Sequence, residues 1–296
     1  MRKFSVVIPC VNGLPVIAEC LTAIRDSAVG HDVEIIVIDR TGPATCESLE
    51  GSFSEIKLVS VAPATGIPEM RSVGFDISTG EFVASIEDHC IVPKDWFLHI
   101  GEAHRRGHSV VGGSVENGCV DTLTDWAAFL CEYSNFMAPI PHGEVDFVAG
   151  NNVSYERKSI EQLDVSLRKN YWEYFLQAEM VNNGTRMFSD PSITLIHKKT
   201  FGFFYFLSQR FHYSRSFAAM RRGRSTTALW FLYLAYVPFL PFHSIYRIGA
   251  NVYRKRRHKR EFWASLPILA LFLLSYAAGE AAGHLAGPGD SLAKVE

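Results

Sequence analysis

No Gly-x-Gly-x-x-Gly loop follows any apolar run of this chain, which disfavours a nicotinamide or flavin dinucleotide enzyme. No C-x-x-C pair occurs among its six cysteines, Cys10, Cys20, Cys46, Cys90, Cys119 and Cys131. A chain of 296 residues needs no disulfide staples, so reduced thiols in a cytosolic compartment are expected. The opening MRKFSVVIPC has too short an apolar stretch for a signal peptide and runs directly into a strand pattern. Internal repeats and low-complexity tracts are also missing. One further absence is local. Residues 210–260 hold 12 Lys/Arg and not a single Asp or Glu.

That local absence breaks an apparently neutral chain into unlike parts. The formal charge is −2, but residues 1–209 carry 16 Lys/Arg against 27 Asp/Glu, and residues 261–296 return to −3. An acidic body joined to a basic, aromatic-rich tail is no uniformly solvated enzyme, and its natural partner is an anionic surface. With 48% hydrophobic and 20% charged residues the body can bury a sizeable core.

Apolar, β-branched runs at 4–9, 34–38, 56–61 and 82–86 alternate with helical patterns at 16–27 and 69–79. Continuous rather than alternating apolar strands predict an α/β fold with a mostly parallel, buried sheet and flanking helices. Strands at 110–115, 146–153 and 192–197 and helices at 122–133 and 171–182 complete the body. Ligands of such sheets gather beyond the carboxyl ends of strands. Pro9, Asp39 and Glu87-Asp88-His89 all fall at such ends. Asp39 is placed either to bond a base or ribose or to close a turn. Glu87-Asp88-His89 at a buried strand end is an expensive cluster unless a metal or phosphate offsets it. Carboxylates suit Mg²⁺ or Mn²⁺, and imidazole shifts the preference towards Mn²⁺. His197, ending the last strand, either completes that set or is an ordinary core histidine.

Five blocks, SVVIPCVNG, EIIVID, the helix with Arg71 and Gly74, GEFVASIEDHCIVPKDW and VAGNNVSYER, resemble the inverting family-2 glycosyltransferases of GT-A fold over residues 4–200. The resemblance implies that Pro9 and Asp39 cradle the nucleotide of a nucleotide-diphosphate sugar. It places the metal-binding D-x-D motif on Glu87, Asp88 and His89, with Glu for the first Asp and His for the last. Arg71 matches a position near the nucleotide, or makes an ion pair on its helix. The family's base lies in a Glu-Asp pair on a later helix. Tyr171-Trp172-Glu173-Tyr174 supplies only Glu173, whose aromatic neighbours would raise its pKa. Trp172, Asn151 and Asn152 are assigned to the acceptor side, the two asparagines forming a turn as the alternative.

From residue 201 the composition changes, so a tail of residues 201–296 is expected beside a catalytic body of residues 1–200. Residues 226–246 are apolar and aromatic but broken by Pro238 and Pro241, and residues 263–279 run 17 without a charge. A straight span needs about 20 apolar residues. Basic clusters at 221–224 and 254–260 favour the cytoplasmic side, so the first segment reads as a re-entrant or interfacial pair and the second as a span or a dip. Arg210 and Arg215 would touch a lipid-linked phosphate or an anionic leaflet. Nucleic acid is a poorer partner, because these cations bracket apolar segments. The expectation is a membrane-bound, metal-assisted glycosyltransferase of hexosyl type acting on a lipid-linked or other glycan acceptor. Two rivals are an inactive sugar-nucleotide-binding membrane scaffold and a nucleotidyltransferase, and CVNGLP lacks the basic Gly-rich loop expected of the second.

Overall fold

Strands with no polar face can only be stable between two layers of helix, and the amino-terminal part of the chain folds that way. A computed structural model describes residues 3–295. Its first half alternates β1 (Lys3–Cys10), α1 (Val16–Ser27), β2 (Asp32–Asp39), α2 (Pro43–Ser52), β3 (Ile56–Ser60), α3 (Ile67–Ile77) and β4 (Phe82–Ser85). Then come β5 (Cys90–Ile91), α4 (Trp96–Arg105), β6 (Val110–Asn117), α5 (Leu123–Tyr133), β7 (Gly143–Val145) and β8 (Val153–Glu156). The body closes with α6 (Arg157–Glu161), α7 (Val165–Asn170), α8 (Glu173–Asn182) and β9 (Met187–His197).

Among the described residues the sheet runs β3-β2-β1-β4-β8-β6-β9-β5, with β7 added beside β9. The first four strands are mutually parallel, while β8 is antiparallel to both β4 and β6. Cys10 lies opposite Asp39, so the carboxyl ends of β1 and β2 finish level and define one edge. Helix α3 packs close beneath it. A Cβ at Gly74 would overlap the Val7 side chain, so this helix can approach β1 only because the residue has none.

The strand expected at 146–153 lies later in the chain, at β8. Residues 146–152 form a turn in which the Asn152 N–H donates to the Ala149 carbonyl at 3.1 Å. Gly150, Asn151 and Asn152 favour that bend over an extended run.

By contacts the chain groups into two units. The first comprises residues up to Glu116 together with Phe136–Lys198, and the second joins Asn117–Asn135 to the residues from Lys199 onward. The second unit contains α5, α9 (Phe203–Gly223), α10 (Thr227–Tyr236), a 3-10 turn (Val237–Phe239), α11 (Leu240–Lys255), α12 (Lys259–Ala286) and α13 (Ser291–Lys294). Two stretches, Thr227–Lys255 and Lys259–Ala286, are long and apolar enough to cross a membrane by length and composition. They differ in burial: 11% of the most apolar part of the first is covered, against 39% of the second.

The tail cations, which find no carboxylate within 210–260, are in fact largely partnered inside the second unit. Arg210 pairs with Glu132 of α5 and lies over the Phe206 ring at 4.6 Å. Arg215 donates from Nε to the Gly287 carbonyl at 2.9 Å, and Arg221 pairs with Glu280. Arg210, which is buried, and Arg215, which is half-buried, are thus both engaged within their own unit.

At the other end of the parallel strands, Glu34 ties β1, β2 and the end of α3 together. Its carboxylate accepts from the Ser5 hydroxyl at 2.6 Å and from the Thr79 N–H and hydroxyl at 2.6 and 2.9 Å. Desolvation works to raise the pKa of Glu34, but these donors and Lys3 outweigh it and hold the carboxyl below its ordinary value. A depressed carboxylate contributes stability above its unfolded-state pKa and loses it as pH falls through its folded-state pKa. Glu34→Gln should therefore cost about 1 kcal/mol at neutral pH and flatten the acid limb of stability against pH. Urea midpoints from pH 7 down to pH 3 measure both, and parallel curves for the two proteins would contradict the assignment.

Candidate active site

The edge made by β1, β2 and β4 carries most of the residues expected there. Beyond β4 the chain turns through Glu87-Asp88-His89 and enters β5, whose Cys90 lies opposite His197 of β9. The Lys198 N–H donates to the His89 carbonyl at 3.0 Å. This pairing brings two histidines 108 residues apart ring to ring. Their Nε2 atoms are 2.8 Å apart, with the rings nearly perpendicular at 88°. Glu87 Oε2 stands 3.4 Å from His89 Nε2 and 3.9 Å from His197 Nε2. Ligand atoms of Glu87, His89 and His197 all lie within 4.8 Å of one another. One carboxylate oxygen and two imidazole nitrogens converging on one point fit a divalent cation, and the mixed set suits Mn²⁺ better than Mg²⁺.

Asp88 does not join that convergence. It is fully buried, and its Oδ2 accepts from the N–H groups of Val11 and Asn12 at 2.7 and 2.8 Å. Its Oδ1 accepts from Asn12 Nδ2 at 2.7 Å and faces His89 Nδ1 at 3.0 Å. A carboxylate behind a histidine fixes the tautomer with its proton on Nδ1 and leaves Nε2 as the ligand atom. Asp88 is therefore not placed for the metal-ligand role expected of it; it orients His89 and braces the loop after β1, and Glu87 is the carboxylate beside the two imidazoles. Burial pulls the His89 pKa down, yet Asp88 and Glu87 outweigh it and hold it up to about 9. Desolvation opposes ionisation of Glu87 as well, but His89, His197 and Arg71 keep its carboxyl well below the usual range.

Arg71, buried in the second turn of α3, links this cluster to α8. Its guanidinium pairs with Glu173 Oε1 and lies 3.7 Å from Glu87 Oε1. The ion pair left open by the sequence is the contact observed for Arg71. Glu173 opens α8, with buried Trp172 as the residue preceding its first turn. Burial raises the Glu173 pKa, with the Arg71 charge pulling against it. Gly150 makes room for this carboxylate, since a Cβ there would come within 3.0 Å of Glu173 Cγ.

The two asparagines part company. Asn151 donates from Nδ2 to Glu87 Oε2 at 3.0 Å, beside the cation position. Asn152 is a core brace: it accepts from Trp96 Nε1 at 3.0 Å and donates to the carbonyls of Ser114 and Ile193 at 2.8 and 3.1 Å. Pro9 sits in β1 opposite Ile38. Asp39 closes the turn into α2, accepting from the Thr41 and Gly42 N–H groups at 3.2 and 3.1 Å and from the Thr41 hydroxyl at 2.8 Å. Two residues that sequence reasoning did not assign belong to the site, Asn12 on Asp88 and Gly150 under Glu173. The dipeptide Asn12-Gly13, with Gly13 at φ +66°, was the available signal for the first.

The mixed sheet and its flanking helices have the GT-A fold. The chain belongs to glycosyl transferase family 2, whose family model matches residues 5–223, and the protein is a glycosyltransferase. The mannosyltransferase PcManGT from Pyrobaculum calidifontis, solved in complex with GDP-Man and Mn²⁺, is similar in structure with a TM-score of 0.57 at 14% identity, over 93% of this chain and 85% of that one. S. aureus TarS 1–349 in complex with UDP gives a TM-score of 0.54 at 13% identity, covering 95% of this chain and 90% of that one. No curated protein matches the chain in sequence.

Removing one partner of a buried ion pair costs far more than the pair contributes, because the charges left behind are unsatisfied. Arg71→Met should therefore lower folding stability by about 3 kcal/mol or more. Adding Glu173→Gln should restore part of that loss, since one of the two stranded carboxylates is then neutral. Urea denaturation of the two single variants and the double variant reads the coupling, and strictly additive losses would show that the residues act independently.

Proposed function

We propose that the protein transfers a sugar from a nucleotide-diphosphate donor to an acceptor hydroxyl with inversion, assisted by a divalent cation. The observation that supports this reading best is Arg71, which joins a cation-competent cluster to a second carboxylate on a different helix. Direct displacement needs two functions on opposite faces of the sugar: charge stabilisation at the departing diphosphate and a base at the incoming hydroxyl. Glu87, His89 and His197 would hold the cation, with Asp88 keeping His89 oriented. When bound, a cation there neutralises charge developing on the leaving diphosphate. Glu173 takes the acceptor proton. Arg71 holds its Oε1 and leaves Oε2 as the oxygen to take the proton, and the raised pKa makes the carboxylate a better acceptor of protons.

Pro9 and the Asp39 turn sit where the nucleoside would lie, beyond the level ends of β1 and β2. Trp172 and Asn151 flank the acceptor side. The acceptor is inferred to be a lipid-linked glycan met at the cytoplasmic face of a membrane. This inference is supported by the two apolar helical stretches and by the carboxylate-free basic segment of the second unit.

Two substitutions separate chemistry from donor binding. Glu173→Gln keeps size and most hydrogen bonding but cannot take a proton, so turnover should fall by roughly 10²–10⁴-fold with nucleotide affinity nearly unchanged. His197→Gln removes one imidazole from the cation set. It should weaken Mn²⁺ binding by about 10–100-fold, read by calorimetry with and without nucleoside diphosphate. Near-normal transfer by Glu173→Gln would move the base to another carboxylate, and unchanged Mn²⁺ affinity in His197→Gln would remove that residue from the cation site.

A further inference from the structure

The two apolar stretches of the second unit differ in kind. No residue of α10 is buried. Along α10, the 3-10 turn and α11 a set of large apolar side chains points to solvent: Leu232 is 65% exposed, Phe239 62%, Phe242 74% and Tyr246 76%. Their spacing of three, four or seven residues puts Phe239, Phe242 and Tyr246 on one helical face. Four such side chains in the open are an interaction surface rather than scatter. Cations adjoin this face along α11 and in the turn into α12. Arg247, Arg254, Arg256, Lys259 and Arg260 are exposed, and no carboxylate occurs from 210 to 260. An apolar, aromatic face bordered by cations matches an anionic lipid surface, where rings sit at headgroup level and Lys/Arg reach the phosphates.

Helix α12 instead packs one face tightly on α9 of its unit. Gly279 and Gly283 let it touch α9 directly, since a Cβ on either would collide with the Phe211 or Arg215 carbonyl. Ser214 donates to the Tyr276 carbonyl at 2.7 Å, Arg222 to the His284 carbonyl at 2.7 Å, and Arg221 pairs with Glu280. A spanning α12 would have to carry these arginines of α9 into hydrocarbon or break every one of those contacts, and either is costly. A hairpin made of two spans fares no better. It would place the cations of 254–260 on the far side, against the cytoplasmic preference of Lys and Arg. That turn is also held within its unit. Lys255 donates to the Asn135 carbonyl at 2.6 Å, Asn251 to the Asn135 side chain at 2.6 Å, and the His258 ring lies 4.7 Å from that of Trp126.

We infer that this chain is held monotopically: α10 and α11 lie in the headgroup region of one anionic leaflet, and neither apolar stretch crosses the bilayer. This rests on the membrane reading proposed above and specifies how the membrane is held. In sealed vesicles with the cytoplasmic face outward, Arg260→Cys in the full chain should react with a membrane-impermeant maleimide, above the background of the native cysteines. In vesicles of the opposite orientation it should react at least ten-fold more slowly. Phe242→Ser combined with Tyr246→Ser should reduce sedimentation with phosphatidylglycerol vesicles ten-fold or more, while nucleotide binding is unchanged. Faster labelling from the far side would overturn the inference and leave membrane association standing. So would undiminished sedimentation of the double variant, or a dimer that the double variant splits. Failure of the unaltered chain to sediment with vesicles would overturn the membrane reading itself.

Discussion

Arg71 holds the site together by standing between two carboxylates that would otherwise repel each other in a poorly hydrated place. Glu87 comes from the loop after β4, Glu173 from the start of α8, and the guanidinium reaches both from α3. Its own position is fixed from below, because Gly74 one turn along lets α3 press on Val7 of β1. Neither carboxylate could persist there as an ion without a partner. The chain thus keeps a candidate cation ligand and a candidate base charged and close through one residue of a helix that packs on the first strand. The cost of burying that residue is offset by two opposite charges rather than one.

The histidine pair follows from sheet topology. Antiparallel pairing of the short β5 with β9 sets His197 against His89, and the carboxylate of Asp88 behind His89 leaves Nε2 facing its neighbour. With Glu-Asp-His where the resemblance places a D-x-D motif, the three residues divide the roles. The middle acid turns inward to clasp the loop after β1, and the two flanking residues present ligand atoms. The same bond network makes the loop at Val11 and Asn12 part of the site, although neither residue bears a titratable group.

The parallel half was readable because buried strands without a polar face leave continuous apolar runs, and the limits of α1 coincide with the helical pattern at 16–27. α2 and α4 escaped reading for different reasons. α2 is short and mostly exposed, with only Leu49 buried. α4 follows Pro93 and begins at Trp96, the last residue of a block read for its resemblance and not for its secondary structure. The strand expected at 146–153 was displaced by turn chemistry at Gly150-Asn151-Asn152, a local preference that outweighed the apolar residues before it. Glu87, His89 and His197 were found as candidates from their positions at strand ends, and Glu173 from the family resemblance. What linked them, Arg71 as a bridge and Asp88 as a brace, depends on contacts across 77 to 102 residues, which spacing along a chain does not reveal. The same holds for Arg210, whose partner Glu132 lies in a segment that the sequence placed in the body.

The central claim is that a cation held by Glu87, His89 and His197 assists sugar transfer. Pulsed electron paramagnetic resonance of Mn²⁺ bound to the protein, with a nucleoside diphosphate present, tests the ligand set without relying on turnover. Nitrogen couplings from two imidazoles are predicted, with one lost in His197→Gln and both lost when His89 is also replaced. A Mn²⁺ signal with phosphorus coupling but no imidazole nitrogen would contradict the account, because the cation would then sit on the diphosphate without these residues.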